Sequence, residues 1–159
     1  MEPLPITKYP DKILKKNCAR IDAVTDKEKG FFENMLFTMR YSAGIGLAAP
    51  QIGISKRLIV AEVEEKVIKL ANPEIIEAKG TDEMEEGCLS VPDAIVKIKR
   101  PYEAVVKGLN ERGDEVEIKT EGLLARVLQH EIDHLDGRLI IDHMTILEEL
   151  NFKLRYGKP

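Results

Sequence analysis

The spacing of apolar residues predicts a first helix from about Asp26 to Tyr41. Thr25 followed by Glu28 forms a capping box, a common start signal for a helix. The residues expected on its buried face recur every three or four positions, with the period of an α-helix: Phe31, Phe32, Met35, Leu36 and Met39. We expect the helix to end before SAGIGLAAPQIG, where glycine and proline indicate a loop.

A second helical pattern lies toward the C-terminal end of the chain. Apolar residues recur with the same period at Leu123, Leu124, Val127, Leu128 and Leu135. Gly137 is well placed to end this helix, because glycine readily adopts the left-handed conformation that follows many helices. The final stretch, TILEELNFKLRYG, favours one more short helix.

The pattern between the two helices is typical of strands. RLIVAEV predicts one strand, and VIKLANPEII predicts a pair of extended segments. AIVKIKR alternates apolar and charged residues, as a strand with one exposed face does. YEAVVKGL, NERGDE and VEIKT predict a hairpin with a polar turn, while the stretch around Cys88 predicts a turn.

The order of these elements indicates the fold class. A helix, then several short strands, then a helix is typical of an α+β fold with antiparallel sheets, and not of a doubly wound parallel sheet. The length of 159 residues indicates a single domain that spans positions 1–159.

Composition narrows the class of protein. The net charge of -4 gives no electrostatic reason to expect a nucleic-acid surface. No apolar run approaches the roughly 18 residues that a membrane span needs, and MEPLPITKYPDKILKK lacks the apolar stretch of a secretory signal. The two cysteines, Cys18 and Cys88, do not make a disulfide scaffold. We therefore expect a soluble protein of a reducing compartment, most simply the cytoplasm.

The stretch LQHEIDHLDG, at positions 128–137, carries the clearest candidate chemistry. His130 and His134 are four residues apart, so a helix projects both imidazoles from one face. Glu131 lies on the same side, where it can reach a water molecule on a bound ion. Two ligands and one general base are the chemical logic of the H-E-x-x-H pattern. The alternative is a solvent-facing helix with two incidental histidines, because so short a match also arises by chance.

A catalytic metal site needs a third protein ligand, and the downstream options are poor. One family of zinc peptidases has a histidine where this chain has Ile140, and isoleucine cannot ligate a metal. Another family takes a glutamate from a following helix. Glu148 and Glu149 are possible ligands of this kind, but they lie close to the motif in the sequence, which counts against them. His143 fits a role at the surface or at a strand end better than ligation.

The upstream option is Cys88, in MEEGCLSVP. A thiolate beside two imidazoles suits Fe(II), zinc, cobalt or nickel. The alternative is a small buried apolar side chain, as free cysteines usually are. For Cys18 that structural role is the expectation.

Three stretches together resemble the motifs of one family. GIGLAAPQ, EGCLS and QHEIDHLDG are similar to the three motifs of peptide deformylase and occur in that family's order. The resemblance covers nearly all of the chain. It implies antiparallel sheets packed around a central metal-binding helix and one divalent metal ion per chain. It also implies a hydrolase that removes the formyl group from N-formylmethionyl nascent peptides and releases formate.

The resemblance also implies roles for individual residues. The three metal ligands correspond to Cys88, His130 and His134, with water in the fourth position. Fe(II) is the expected metal, and Zn(II), Ni(II) or Co(II) fit the same ligands. Glu131 corresponds to the general base and later acid. The side chain of Gln51 and the backbone N–H of Leu89 correspond to donors to the developing oxyanion.

Five further positions correspond to contacts with the substrate. An extended peptide would pair with backbone groups at Ile45, Gly46 and Gly87, as an added strand does. Leu123 and Val127, together with Ile45, would line a pocket for the methionine side chain. Apolar residues at helical spacing are also typical of an ordinary core.

Three residues are expected to support the site. Glu86 and Arg100 resemble a family ion pair that braces the turn at the cysteine, the alternative being two solvated charges. Asp133 is expected to orient a ligand histidine through the second ring nitrogen, as carboxylates around metal sites often do. It could equally be a solvated helix residue.

Two features depart from the family pattern. Many relatives carry an arginine three residues after the proline of CLSVP, where it helps to hold the substrate; here that residue is Ile95, so substrate preference is expected to differ. Some relatives also extend a basic C-terminal helix that docks on the ribosome, whereas this tail mixes acidic and basic residues. We therefore do not expect this tail to dock on the ribosome. The further expectations are a monomer, transient ribosome proximity and no direct binding of nucleic acid.

Two other functions are compatible with part of the sequence. A different metallohydrolase could use the same histidine helix, but the absent downstream ligand and the match at Gln51 count against it. A non-catalytic relative could bind a metal or a peptide without turnover. The presence of Glu131, Gln51 and Cys88 counts against that alternative.

Overall fold

The computed structural model describes residues 1–156. This part of the chain contains three α-helices and seven β-strands. The helices are α1 (Asp26–Tyr41), α2 (Gly122–Leu135) and α3 (Ile146–Tyr156). The strands are β1 (Gly46–Ala48), β2 (Leu58–Val63), β3 (Lys66–Lys79), β4 (Asp82–Cys88), β5 (Val91–Arg100), β6 (Glu103–Leu109) and β7 (Glu115–Glu121). Short 3₁₀ helices lie at Lys12–Lys15, Ala49–Ile52 and Ile140–His143. Within residues 1–156, none of the helices has the length and apolar character needed to cross a membrane.

Helix α1 has the bounds that the apolar spacing predicts. The backbone N–H of Thr25 donates to Oε1 of Glu28 at 2.9 Å, which ties down the start of the helix. Phe32 and Met35 are fully buried and pack with sheet residues that include Leu47, Leu58 and Val60. The helix therefore covers one face of the first two strands.

The strands form two antiparallel sheets. Five of them pair in the order β1-β2-β3-β6-β7, and β4 pairs with β5 in a separate two-stranded sheet. The predicted hairpin is present as β6 and β7, joined by a turn at 110–114. The predicted combination of helices with antiparallel sheets is confirmed.

The pair of extended segments predicted from VIKLANPEII is one strand, β3. Its register with β6 shifts between Ala71 and Glu74, next to Asn72, whose φ is 50°. The Asn72 side chain bonds the backbone N–H and C=O of Ile21, both at 2.9 Å. This contact stabilises an irregularity within one continuous strand. The sequence predicts that the strand is interrupted there, because asparagine and proline are disfavoured inside strands.

The stretch that leads to Cys88 is strand β4, which was not predicted, and the turn predicted around Cys88 lies directly after it, at Leu89 and Ser90. The strand was missed because β4 is rich in acidic residues, which are weak strand formers. Pairing with β5 compensates, since Glu85 faces Lys97 across the two strands. The register shifts between Glu86 and Cys88, so pairing becomes irregular at the cysteine. The loop predicted at 42–53 likewise contains β1 and a 3₁₀ helix.

Helix α2 packs with its apolar side on the larger sheet. Leu128 and Leu135 are fully buried among sheet residues that include Ile59, Ala61 and Leu70. Gly137 follows the helix with a φ of 72°, as predicted, and a Cβ there would overlap the carbonyl of Lys15. The final stretch forms helix α3, which confirms the helix predicted there within residues 1–156.

Candidate metal centre and active site

Three side chains from two elements converge at one point. His130 and His134 lie about one turn apart on α2, and Cys88 is the last residue of β4. One ligand atom from each lies within 4.8 Å of the others, and no other such group of His, Cys, Asp or Glu occurs in residues 1–156. The Sγ atom of Cys88 is 3.4 Å from Nε2 of His134. Of the third ligands considered from the sequence, Cys88 therefore meets the two histidines, whereas Cys18 lies in the apolar core.

Glu86 fixes the ring of His130. Its Oε1 atom is 2.9 Å from Nδ1 of the imidazole. Burial raises the pKa of Glu86, but hydrogen bonds from His130 and Arg100 outweigh burial and hold the pKa well below its ordinary value of 4.5. Because an ionised carboxylate only accepts, Nδ1 carries the proton of this hydrogen bond. That tautomer leaves Nε2 of a neutral ring available to a metal ion.

Two buried arginines hold the same carboxylate. Arg100 donates from Nε and Nη2 at 2.6 and 3.0 Å, so the predicted ion pair is present in the structure. Arg126 donates from Nη1 to Oε2 of Glu86 and to the backbone carbonyl of Ile98. These guanidinium groups offset the energetic cost of burying the charge of Glu86. The role of Arg126 was missed, although an arginine inside the apolar run GLLARVLQ signals a buried partner.

His134 is held in the neutral form. Burial lowers its pKa well below the ordinary value of 6.5, and repulsion from His130 and Arg100 lowers it further. The ring is almost completely buried, and its Nδ1 has no hydrogen-bond partner within residues 1–156. A neutral imidazole is the form that binds metals.

The charges around the three side chains favour a bound cation. Burial lowers the pKa of His130, but the charge of Glu131 and the hydrogen bonds with Cys88 and Glu86 outweigh it and raise the pKa to about 10. The ring therefore attracts positive charge, which a divalent cation on Nε2 would supply in place of a proton. A thiolate with two imidazoles is a donor set for Fe(II), zinc, cobalt and nickel. The residues present thus fit a mononuclear metal site.

The carboxyl group of Glu131 lies next to the three side chains. Burial raises its pKa to about 7. Its Oε2 is 4.0 Å from Nε2 of His130, and its Oε1 has no hydrogen-bond partner within the described residues. Gly46 allows this close approach, because a Cβ at that position would overlap Oε2. A carboxyl group that titrates near neutrality can accept a proton and return it.

Gln51 is also buried at the site. Its Oε1 accepts a hydrogen bond from the backbone N–H of Ala48 at 2.9 Å, which sets the orientation of the amide. Its Nε2 is 3.1 Å from Oγ of Ser90 and 3.7 Å from Sγ of Cys88. The amide nitrogen carries two hydrogens, and these two contacts use both of them. Leu89 follows Cys88 directly and lines the same cavity.

A cavity of about 680 Å³ opens beside these groups. All five residues predicted to contact the substrate line it: Ile45, Gly46, Gly87, Leu123 and Val127. Other lining residues were not predicted from the sequence, among them Ile6, Lys8, Met84 and Pro92. These residues come from separate segments and share no motif, so only the folded chain reveals that they are neighbours.

Asp133 does not contact a ligand histidine, which corrects the geometry expected from the sequence. Its Oδ2 accepts from Nη1 of Arg100 at 2.9 Å and lies 3.0 Å from Nε2 of His143. Glu86, not Asp133, bonds the second ring nitrogen of a ligand histidine. The physical reason is the direction of the Asp133 side chain on α2. It points toward Arg100 of β5 and His143 of the next 3₁₀ helix, and its carboxylate bonds these two residues instead.

Comparison with known proteins identifies the family. The sequence model described as Polypeptide deformylase matches residues 3–149. The peptide deformylase of Thermodesulfovibrio yellowstonii is 46% identical over 158 residues, which are 96% of each chain. That of Halothermothrix orenii is 48% identical over 94% of this chain and 98% of its own. The crystal structure of peptide deformylase from Ehrlichia chaffeensis in complex with actinonin has a TM-score of 0.91 and 32% identity, covering 99% of this chain and 100% of that chain. The chain belongs to the peptide deformylase family, metalloenzymes that remove the formyl group from N-formylmethionyl peptides.

Proposed function

We propose that this chain performs the family reaction with one divalent metal ion held by Cys88, His130 and His134. The observation that carries the proposal is the convergence of these three donors within 4.8 Å, beside a buried carboxyl group and an open cavity. The substrate is the N-terminal formylmethionine of a newly synthesised polypeptide, and the products are formate and the free amine.

Fe(II) is the proposed native metal, and Zn(II), Ni(II) and Co(II) suit the same donors. When bound, a divalent ion supplies the Lewis acidity that makes water a usable nucleophile near neutral pH. The neutral ring of His134 and the Nδ1–H tautomer of His130 support this assignment. Both rings can offer Nε2, and Cys88 Sγ already lies 3.4 Å from one of these atoms.

Glu131 is the proposed general base and acid. Its pKa of about 7 suits a group that takes a proton from water and then gives it to the departing amine. Its Oε1, which has no hydrogen-bond partner in the described part of the chain, can make the hydrogen bond that this transfer needs. The close contact with Gly46 keeps the carboxyl group at the side of the cavity where a substrate backbone would lie.

Gln51 and the backbone N–H of Leu89 are the proposed donors to the developing oxyanion. The Gln51 amide is already oriented by Ala48, and the hydrogen that faces the Cys88 sulfur is the one proposed to turn to the oxyanion when negative charge develops. One such donor is typically worth about 3–4 kcal/mol in acyl-transfer reactions. Loss of Gln51 should therefore affect turnover far more than stability.

The substrate backbone is proposed to bind along β1 and the end of β4. Strand β1 lies at an edge of the five-stranded sheet, so an extended peptide can pair with its open side at Ile45 and Gly46. Gly87 supports the second side of this groove, since an added Cβ would meet only the Ala94 carbonyl, at 4.0 Å. Packing does not require glycine there, whereas a passing peptide backbone would. Leu123 and Val127 are the proposed walls of the methionine pocket.

We further propose a single catalytic domain over 1–159 that acts as a monomer in the cytoplasm. The family match over residues 3–149 supports the single domain, and two free cysteines suit a reducing compartment. Nascent chains as substrates imply transient proximity to the ribosome. The net charge of -4 gives no electrostatic reason to propose direct binding of nucleic acid.

The experiment that tests the proposed function measures metal and formate together. Protein purified without oxygen should contain about one metal ion per chain and release formate from a formyl-Met peptide. Removal of the metal with a chelator should abolish release, and Fe(II), Ni(II) or Co(II) should restore it. Formate release by metal-free protein at the original rate would contradict the proposal.

A further inference from the structure

A chain of hydrogen bonds runs from His143 toward the metal-ligand residues. His143 ends the 3₁₀ helix that follows α2, and its Nε2 is 3.0 Å from Oδ2 of Asp133. The same oxygen accepts from Nη1 of Arg100 at 2.9 Å. Arg100 holds Glu86 through two further hydrogen bonds, and Glu86 bonds Nδ1 of His130 at 2.9 Å. Two carboxylates and one guanidinium thus connect the two histidines.

The donors and acceptors in this chain alternate without conflict. Oxygens of both carboxyl groups accept hydrogen bonds from the guanidinium of Arg100, and each histidine is placed to donate to them. His143 therefore carries its proton on Nε2, and His130 carries its proton on Nδ1. Arg100 lies between the two acceptors with Nη1 committed to Asp133 and with Nε and Nη2 committed to Glu86. The direction of the guanidinium plane consequently depends on where the Asp133 carboxylate points.

The Asp133 carboxylate has few other restraints. It lies on α2, and the further ion pair recorded for it within residues 1–156 is with Arg138, whose Nη1 is 3.8 Å from Oδ1. Asp133 and His143 are both largely buried, with side-chain exposures of 18% and 19%. A partly buried ring that donates to Oδ2 can therefore fix this carboxylate, whereas the 3.8 Å contact to Arg138 is too long for a hydrogen bond.

We propose that His143 is a positioning residue for the metal centre. By donating to Asp133 it aligns Arg100, and so helps to keep Glu86 and the ring of His130 in the orientation that ligates a metal. This role rests on the proposed function in one respect, namely that His130 is a metal ligand. Arg126 also holds Glu86, so the effect of His143 is expected to be smaller than that of a residue bonded to a ligand.

The test compares His143→Leu with His143→Gln in Co(II)-loaded protein. Leucine removes the donor, while the amide of glutamine can take the place of Nε2–H. The readouts are the rate of Co(II) loss to a chelator and the visible absorption of Co(II), which reports ligand geometry independently of turnover. Direct partners of metal ligands are typically worth 10–100-fold in affinity, so a residue further out should change the release rate about 3–10-fold. We expect His143→Leu to show this acceleration with an altered spectrum, and His143→Gln to restore both.

A matched control removes an ion pair that another segment makes with the same 3₁₀ helix, at the residue before His143. Lys15 pairs with Asp142 at 2.8 Å, next to His143, and within residues 1–156 this ion pair has no recorded hydrogen bond to Asp133, Arg100 or Glu86. Lys15→Met should therefore leave the spectrum and the release rate unchanged, even if it loosens the helix. Acceleration by Lys15→Met as large as that by His143→Leu would overturn the proposal, because general loosening would then explain both.

The test separates this role from the proposed function. If wild-type protein binds Co(II) and turns over substrate, but His143→Leu releases the metal at the wild-type rate with an unchanged spectrum, only the positioning role is overturned. If wild-type protein binds no Co(II), the metal-dependent function and the positioning role are overturned together.

Discussion

Helices α1 and α2 are similar in length, but they bury different kinds of side chain. The buried face of α1 is mostly apolar, and its two buried polar residues, Glu28 and Thr38, have hydrogen-bond partners. Helix α2 buries four large polar side chains, Arg126, Gln129, Glu131 and His134. Of the side-chain atoms in residues 1–156, the buried ones that lack a hydrogen-bond partner all belong to α2: Arg126 Nε, Glu131 Oε1 and His134 Nδ1.

This difference separates a structural helix from a helix that carries a site. Buried polar groups without partners destabilise a fold, so native proteins keep very few of them. Here the three residues belong to the site, because Arg126 and Glu131 line the cavity and His134 is one of the three candidate metal donors. Helix α1 should therefore respond to mutation through stability, and the polar side of α2 through turnover.

The largest effect should come from the cysteine that completes the metal site with α2. Cys88→Ser replaces a thiolate donor by a hydroxyl that remains protonated, so metal should be lost and formate release should fall below detection. Cys18→Ser is the matched control, because Cys18 packs in the core. It should keep both metal and turnover. Metal analysis and a formate assay on both variants check this, and equal loss in the two would mean that the ligand assignment is wrong.

Glu131→Gln should reduce kcat by about 10²–10⁴-fold, the usual contribution of general acid–base catalysis, while metal is retained. The folded-state pKa of about 7 lies above the ordinary value of 4.5, so ionisation of Glu131 destabilises the fold as the pH rises. The metal-free variant should thus be more stable than metal-free wild type at pH 8, with a difference that shrinks toward pH 5. Denaturant unfolding of the metal-free proteins tests the stability difference, and kcat of the metal-loaded proteins tests the catalytic role. Activity within tenfold of wild type would remove the assigned role.

Phe32→Ala should break the structural helix. Phe32 is a fully buried residue of α1. Truncation of a buried phenylalanine to alanine typically lowers the free energy of unfolding by about 3–5 kcal/mol. Turnover per folded, metal-loaded molecule should stay close to wild type, because the side chain lies outside the cavity. A stability curve combined with kcat for the folded fraction distinguishes the two effects. A large loss of kcat without loss of stability would erase the contrast between the helices.

The smallest effect should come from Glu28→Gln at the start of α1. Hydrogen bonds from Thr25, aided by Lys56, lower the pKa of Glu28 below 4.5. A lowered pKa stabilises the fold above the unfolded value, and that contribution is lost as pH falls through the folded value. The variant should be about 1 kcal/mol less stable than wild type near pH 7, a usual magnitude for helix capping. Unfolding measured from pH 7 to pH 3 should show the difference disappear, and a constant difference would contradict the ionic origin.

The sequence predicted the two longer helices well because their patterns are local. Capping at Thr25 and apolar spacing defined α1, and Gly137 marked the end of α2. Strand β4 could not be predicted in this way, because its acidic residues become favourable only opposite the lysines of β5. The single strand β3 was also missed, since the contact that holds Asn72 comes from Ile21, far away in the chain.

The site shows the same limit. Motif resemblance selected Cys88, His130, His134, Glu131 and Gln51, and the structure brings all of them together. The network that supports them was only partly predictable, because a carboxylate such as Asp133 can point to several partners from one helix position. Its bonds to Arg100 and His143 depend on how β5 and the 3₁₀ helix pack.

The central claim is that this site hydrolyses a formyl amide, and selectivity tests it most directly. The measurement is kcat/KM of metal-loaded protein for a formyl-Met peptide and for the matching acetyl-Met peptide. The formyl hydrogen lets the carbonyl carbon approach the nucleophile between Gln51 and Leu89, and a methyl group there would displace it. Misplacement of about 1 Å can cost a hundredfold in rate, so we predict a preference for formyl of at least about that size. Equal turnover of the two peptides would contradict the account.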